Sequence, residues 1–582
     1  MLSSRFSSCS ALAGLLFIGC ATTSGGGSAP KSRNRRSLRV KQPFPSKARV
    51  DELGSAKVDQ PLARVGTMAA VTSWSVDPST PDADWKTTYA GTDPNSAAFV
   101  TWAKAKAPKV TVSASMTCVA QQYARFAAEH QGAVVGADVR AFIHARCGVP
   151  APQVSVFNWS FKAGTFRALD PNAPEPKVME VLDGASKRTL AGLGVWKTDD
   201  RAFVAVAFAD PDFELAPLPF DSGSGGSVMV RGSYGRRTEW MQASISHGPL
   251  GAKRCTRVPA GGSKGGFAFR CPTNPQDPSA VVELAAAPKG SVLGNVFARA
   301  FISPNGSAPT QYDAPALNVP APAGDFSPAA VLAGVNALRS QAGLPDVVGA
   351  PHQDSVSKNL FPHLLGNTNA SVRNEAALGI VAGWQVEDTI RQASFETMFA
   401  HADTPLDRML AGGLFFPGFR AVTLGKDTRV LSTATLDSEQ TSTRGLLSVA
   451  YEVFEPGDFA AEEAAVYDAL DDARAKVGLE PVTRVQGGKD ENALADSAER
   501  IRTGESTPSE ELDRMVTYFR ESVQRDFYGV IYSPTLIEGW TPDFDDEFFK
   551  HEKLAVSITV SYFTPPGAAW GQHIVMLVFT PL

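Results

Sequence analysis

Gly261-Gly262-Ser263-Lys264-Gly265 has the Gly-x-Ser-x-Gly spacing of a nucleophile elbow. That chemistry needs a strand before the serine and a helix after it, so that the hydroxyl stands exposed on a strained turn. Here the motif lies in a Gly-rich loop between Cys255 and Cys271, which favours a hairpin tip. Ser355-Val356-Ser357-Lys358 matches Ser-x-x-Lys, but no Ser-Asp-Asn or Lys-Thr-Gly accompanies it. Asp543 to Glu552 is the densest group of acids, with His551 inside it. Calcium would suit carboxylate oxygens, but the glycine and glutamate of an EF-hand are missing in register. A solvated acidic face with Phe544, Phe548 and Phe549 turned inward is the expectation. No His-Glu-x-x-His, phosphate-binding loop or dinucleotide fingerprint occurs, and the eight histidines are scattered.

Cysteines carry the clearer signal. Ala11 to Ile18 is a short apolar run behind Arg5, followed by Gly19-Cys20. This is the layout of an export signal. Its Gly-Cys end resembles a bacterial lipobox, which implies cleavage after residue 19 and acylation of Cys20. Ala21 follows where an inner-membrane retention signal would place Asp, so the resemblance implies the outer membrane. Apart from Cys9 and Cys20, the chain has Cys118, Cys147, Cys255 and Cys271. An even number in an oxidising compartment points to disulfides rather than metal, since no Cys-x-x-Cys spacing is present. Of three possible pairings, Cys118–Cys147 and Cys255–Cys271 keep each bridge inside one expected domain.

Lys31, Arg33, Arg35, Arg36, Arg39, Lys41, Lys47 and Arg49 precede the first acid, Asp51. Residues 20–60 are therefore expected to form a disordered basic tether, which also attracts anionic headgroups. Setting aside the nine basic residues before position 50 leaves 46 Lys and Arg against 60 Asp and Glu. A body near −14 is a poor partner for nucleic acid.

The elements that would position these residues fall into several domains, as a chain of this length implies. Residues 85–220 read as α+β. Helices are expected over Cys118–Ala128 and Ala137–Arg146, a strand over Val154–Phe161, and a hairpin across Thr198. Residues 224–304 show strands and no helix, expected as a β-sandwich. A Pro/Ala-rich linker spans 305–325. Residues 326–458 and 459–582 return to mixed α and β. Val335-Asn336-x-x-Arg339-x-x-x-Gly343-Leu344 in the first parallels Leu470-Asp471-x-x-Arg474-x-x-x-Gly478-Leu479 in the second. Both read as helix ends with glycine at the stop. The last unit also shares its order of helices and terminal strands with 85–220. The fold class is thus multidomain α+β, with α/β units flanking a small all-β sandwich.

The first of those helix ends resembles the opening helix of the CAP superfamily, which includes cysteine-rich secretory, antigen five and pathogenesis-related proteins. Thr404-Pro405-Leu406-Asp407-Arg408 resembles a second family segment, often Ser-Pro-x-His-Arg. The resemblance implies an α-β-α C-terminal region over 326–458, with 459–582 as a related repeat. It also implies a cleft in which His363, Glu375 and His401 would sit. Asp407 stands where the family has His, and Asn374-Glu375 reverses the usual Glu-Asn pair. A metal or general-base site needs several such groups at once. The cleft is therefore expected to be degenerate, without catalysis, cofactor or metal, and replacing His363 and His401 by alanine to leave stability nearly unchanged. The leading expectation is an envelope lipoprotein that binds an envelope polymer, a lipid or a protein. The rivals are a CAP-type hydrolase of protein or peptidoglycan, and a structural, motility, adhesion or competition component.

Overall fold

Three stretches of the chain fold in one common order. The computed structural model describes residues 16–18 and most of the chain from 44 to 582. The longest stretches outside the described residues are 1–15, 19–43, 77–84, 163–187, 219–225, 259–265, 303–308 and 533–543. The molecule is mixed α/β, with several small sheets, none of them closed.

The first unit runs helix Pro94–Lys106, stub strand Thr111–Val112, helices Ala114–Glu129 and Ala137–Arg146, strand Ser155–Lys162, then strands Leu190–Lys197 and Arg201–Ala209. The second runs Pro328–Gln341, stub Val348–Gly349, Pro351–Gly366, Ala370–Ala382, strand Ile390–His401, then Thr428–Ser438 and Thr443–Val453. Between its strand and hairpin it inserts two short helices, Leu406–Gly413 and Pro417–Thr423. The third runs Ala460–Lys476, stub Thr483–Arg484, Lys489–Arg502, Pro508–Ser522, strand Tyr528–Tyr532, then Leu554–Phe563 and Gln572–Pro581. In each sheet the stub lies parallel to the first hairpin strand, and the second hairpin strand pairs antiparallel with the earlier long strand. Leu16–Ile18, within the expected signal segment, pairs antiparallel with 393–395 on the outer edge of the second sheet.

Local sequence explains the starts and stops. Asp93, Ser113 and Ser327 cap their helices by accepting backbone N–H groups of the first turn. Gly343 and Gly478 follow their helices at φ +69° and +80°, the left-handed stop that favours glycine. Arg201–Ala209 is buried along all but its first residue, so its apolar run reads as a two-sided interior strand. Helix Ala114–Glu129 lies directly on the neighbouring strand. A Cβ at Gly192 or Gly194 would meet that helix's backbone at 2.1 and 2.2 Å, so only glycine permits the approach.

Arg339 and Arg474 are fully buried. Arg339 donates to the carbonyls of Pro345, Thr423, Gly425 and Thr428. Arg474 donates to those of Glu480, Phe548, His551 and Glu552. Each pins its helix to the turn six residues on and to the segment entering the hairpin. Asn336 and Asp471 complete the match, each accepting from the backbone N–H eleven residues later, at Val347 and Val482.

Between the first two units lie two four-stranded antiparallel sheets, without a helix among the described residues. One orders Gly251–Arg254, Thr238–His247, Ala280–Pro288 and Asn295–Ile302. The other orders Thr256–Arg257, Gly266–Pro272, Ser227–Tyr234 and Phe213–Leu215. Cys255 sits where the chain passes from one sheet to the other, and its bond to Cys271 fastens that corner. Cys118–Cys147 joins helix Ala114–Glu129 to the end of helix Ala137–Arg146 in the first unit. Both bridges are those expected.

Three boundaries are corrected. The tether expected over 20–60 does not reach that far, because Lys47–Ser55 is a helix. It buries Val50 and Leu53 against the second unit, and Arg49 pairs there with Glu375. The linker expected over 305–325 contains strand Gln311–Asp313, paired with Ser73–Ser75, and its Tyr312 is buried. Phe213–Leu215, expected within the first unit, extends a sheet of the central region. The third unit also reaches back. Trp570, in its hairpin loop, donates to the Val381 carbonyl at 3.1 Å and packs on Phe44, while Trp384 donates to Pro45.

Candidate functional site

A pit of about 140 Å³ opens where the first and second units meet. Its walls come from four places: the segment around Met68, the start of helix Ala137–Arg146, the end of strand Ile390–His401, and the inserted helix Leu406–Gly413. Met68, Met398, Met409, Val139 and Phe416 make it mostly apolar. Thr72, Asp403 and Pro405 stand exposed at its rim.

One ion pair lies in the wall. Arg408 Nη2 donates to Asp138 Oδ2 at 2.9 Å and to the Val71 carbonyl at 2.7 Å. The Tyr312 hydroxyl donates to the same Asp138 oxygen at 2.6 Å. Burial, with Asp138 beside it, pushes the Tyr312 hydroxyl far up, so it remains a donor. Burial opposes the charge of Arg408, but Asp138 and Tyr312 outweigh this and raise its pKa. Gly412 packs directly against the pair: a Cβ there would stand 3.0 Å from Asp138 Oδ2 and 3.5 Å from Arg408 Nη1, so a larger residue would crowd it.

A second polar cluster is sealed behind the pit. Glu283 and Arg299, on neighbouring strands of the central region, pair at 3.1 Å, and Arg299 lies over the Phe416 ring at 4.5 Å. Glu396, two residues before Met398, is buried, and burial with Glu283 nearby pushes its carboxyl up to about 8. Its Oε2 and the Oγ of Ser448, the cross-strand neighbour, have no partner among the described residues. His144 is held well below its usual value by burial and by Arg140 and Arg299.

The residues singled out in the sequence are dispersed. His363 is buried and donates Nε2–H to the Ala56 carbonyl at 3.0 Å. Its replacement by alanine is therefore expected to cost some stability, where the sequence alone suggested little change. Glu375 receives Arg49 in a two-pronged bond at 2.8 and 2.9 Å. Arg49 in turn lowers the Glu375 carboxyl. His401 ends its strand beside exposed Asp403, at 3.4 Å. Asp407 accepts the Arg408 backbone N–H at 2.7 Å. None of the four lines the pit. Among the described residues, no three His, Cys, Asp or Glu are grouped where a metal ion could be held.

Ser355 lies exposed on a helix. Cys20 and the Gly261–Gly265 motif lie outside the described residues, as do Asp543 and Asp545. Asp546–Phe549 is a short helical turn with Phe548 buried, Phe544 buried just before it and Phe549 half-buried.

Sequence reasoning missed Asp138, Tyr312 and the three methionines. Arg408 was quoted only as the end of a motif. Glu396, an acid in the middle of a strand, was a usable sign. In comparisons with known proteins, the chain matches no family model and no curated protein.

Proposed function

We propose that this chain is a cell-envelope lipoprotein, anchored through Cys20, that acts by binding rather than by catalysis. Its second and third units are read as CAP-like α-β-α units, and its central sheets as a β-sandwich. One observation carries the binding reading: the groups that would do family-type chemistry are occupied in holding the fold. His363 fastens the turn at Ala56, and Glu375 fastens the helix carrying Arg49. The pit between the first and second units is where a ligand would sit, since it combines an apolar interior with an ion pair in its lining. An envelope polymer, lipid or protein remains the expected partner, because the acidic body suits no nucleic acid.

The test is paired. Cys20→Ser should stay unprocessed or leave the membrane fraction, and acyl labelling should vanish. Unchanged fractionation and labelling would overturn the anchor. His363→Ala with His401→Ala should retain the cellular phenotype after correction for protein level. Stoichiometric zinc lost in that double variant, together with the phenotype, would replace the binding reading by a hydrolase.

A further inference from the structure

The junction pit is specific enough in size and polarity to define a ligand class. Its volume is about 140 Å³, and an apolar protein cavity of roughly 150 Å³ holds one benzene. One six-membered ring or one compact branched group therefore fills it, and a long chain does not. Met68, Met398 and Met409 bring three thioethers to the space, and sulfur packs favourably against ring edges while its flexible chain adapts to shape. Charge selects further. Asp138 and Arg408 neutralise one another at 2.9 Å, so an anion entering the pit would lose its hydration without gaining a free counter-ion. A neutral acceptor differs, because a guanidinium carries five N–H donors in a fixed fork. Nη2 serves Asp138 and Val71, and Arg408 itself is part of the pit lining, with Nη1 beside Gly412.

We propose that the pit binds one neutral ring-sized group carrying a carbonyl acceptor, an aromatic amide in chemical class. The ring lies among Met68, Met398 and Met409, and the carbonyl accepts from Arg408. Such a group arrives as a free small molecule or as an aromatic residue of a peptide, which presents the same ring and amide. This rests on the reading of the pit as the place of binding and is independent of the lipid anchor, whose failure would appear in fractionation instead.

The experiment uses the soluble chain after the tether, with its methionine methyls labelled with carbon-13. Benzamide should shift the Met68, Met398 and Met409 signals, assigned through single Met→Leu variants, and leave distant methionines in place. Benzene should bind at least about tenfold more weakly, as loss of one hydrogen bond to a charged donor implies. Acetamide should not bind. Thr72→Trp at the exposed rim, or Ala69→Leu in the wall should the first variant fold poorly, should weaken benzamide at least about tenfold through steric exclusion. N-acetylphenylalaninamide binding more tightly than benzamide would identify a peptide source, and binding of benzamide alone a free molecule; both sustain the proposal. No benzamide shift, an equal response to acetamide, or binding unaffected by both blocking variants overturns it.

Discussion

The second and third units close their helix-to-hairpin corner with a buried guanidinium, and the first unit closes the same corner with rings. Arg339 and Arg474 stand nine residues before their stub strands, and Trp102 stands nine before Thr111. Asn336 and Asp471, three residues earlier, correspond to Phe99, which stacks on Trp102 at 5.6 Å. Val110 takes the place of Val347 and Val482 just before the stub, and all three are buried. One topology is thus fastened by two chemistries. In the polar version a single side chain donates to four carbonyls of the corner. In the apolar version the stacked rings supply buried area instead. The unit with rings also has a disulfide between its helices, and the described residues of the other two units have none.

The sharpest way to break this comparison is to remove the guanidinium. Arg339→Ala should destabilise the second unit by about 3–5 kcal/mol, because several buried carbonyls lose their donor at roughly 1–3 kcal/mol each. Arg339→Lys should recover only part, since an ammonium lacks the planar fork. Denaturant melts of both variants check this, and full rescue by lysine would show that charge alone fastens the corner.

A second effect belongs to Glu396, which the second unit buries on the face toward the central sheets. Its proton is held more tightly folded than unfolded, with a pKa near 8 against an ordinary 4.5. The stabilisation is fully present below pH 4.5. It falls as the unfolded chain releases its proton first, and is lost as pH rises through 8. The total is on the order of a few kcal/mol. The surrounding charges are Glu283 and Arg299 on the central strands and Arg140 on helix Ala137–Arg146 of the first unit. The other nearby charges are engaged elsewhere: Arg408 with Asp138, Arg420 with the Leu414 and Gly248 carbonyls, and Glu452 with Arg254 and Arg391. Glu396→Gln should flatten the melting temperature between pH 5 and 8, and a profile identical to wild type would remove Glu396 as its cause.

Next in size is the first bridge. Cys118→Ala with Cys147→Ala should cost about 2–4 kcal/mol. Hydrogen exchange should rise in the first unit while the third stays protected. Equal loss in all units would mean they unfold as one block. The smallest expected effect is Trp102→Phe. The indole N–H is buried without a partner among the described residues, so the cost should be that of the lost ring volume alone, about 1–2 kcal/mol. A loss well above that would show that the apolar version of the corner also depends on a polar contact.

The Arg339 and Arg474 segments were legible because spacing along one helix and its turn is local. The disulfides were legible because two cysteines fell into each expected domain. The first unit's membership was visible only in its order of elements, since Trp102 and Phe99 erase the polar signature. Helix Lys47–Ser55 was hidden by its charge: Val50 and Leu53 are too few to mark an amphipathic face. The pit was illegible for a different reason. Asp138 and Arg408 are 270 residues apart, and Tyr312 is 174 from Asp138. No local period records such a meeting. The pairing of Ser73–Ser75 with Gln311–Asp313 that carries Tyr312 there is only three residues long.

The contact of Trp570 with Phe44 has a mechanical consequence. Phe44 and Pro45 are the first described residues of the body, and they touch Trp570 and Trp384 respectively. Trp570 in turn is tied to Val381, and Gly571 to Ile390. Tension on the chain ahead of Phe44 is therefore delivered to the seam between the second and third units. The seam acts as a clasp near the chain's point of entry, and a sustained pull strains it before the load reaches the first unit.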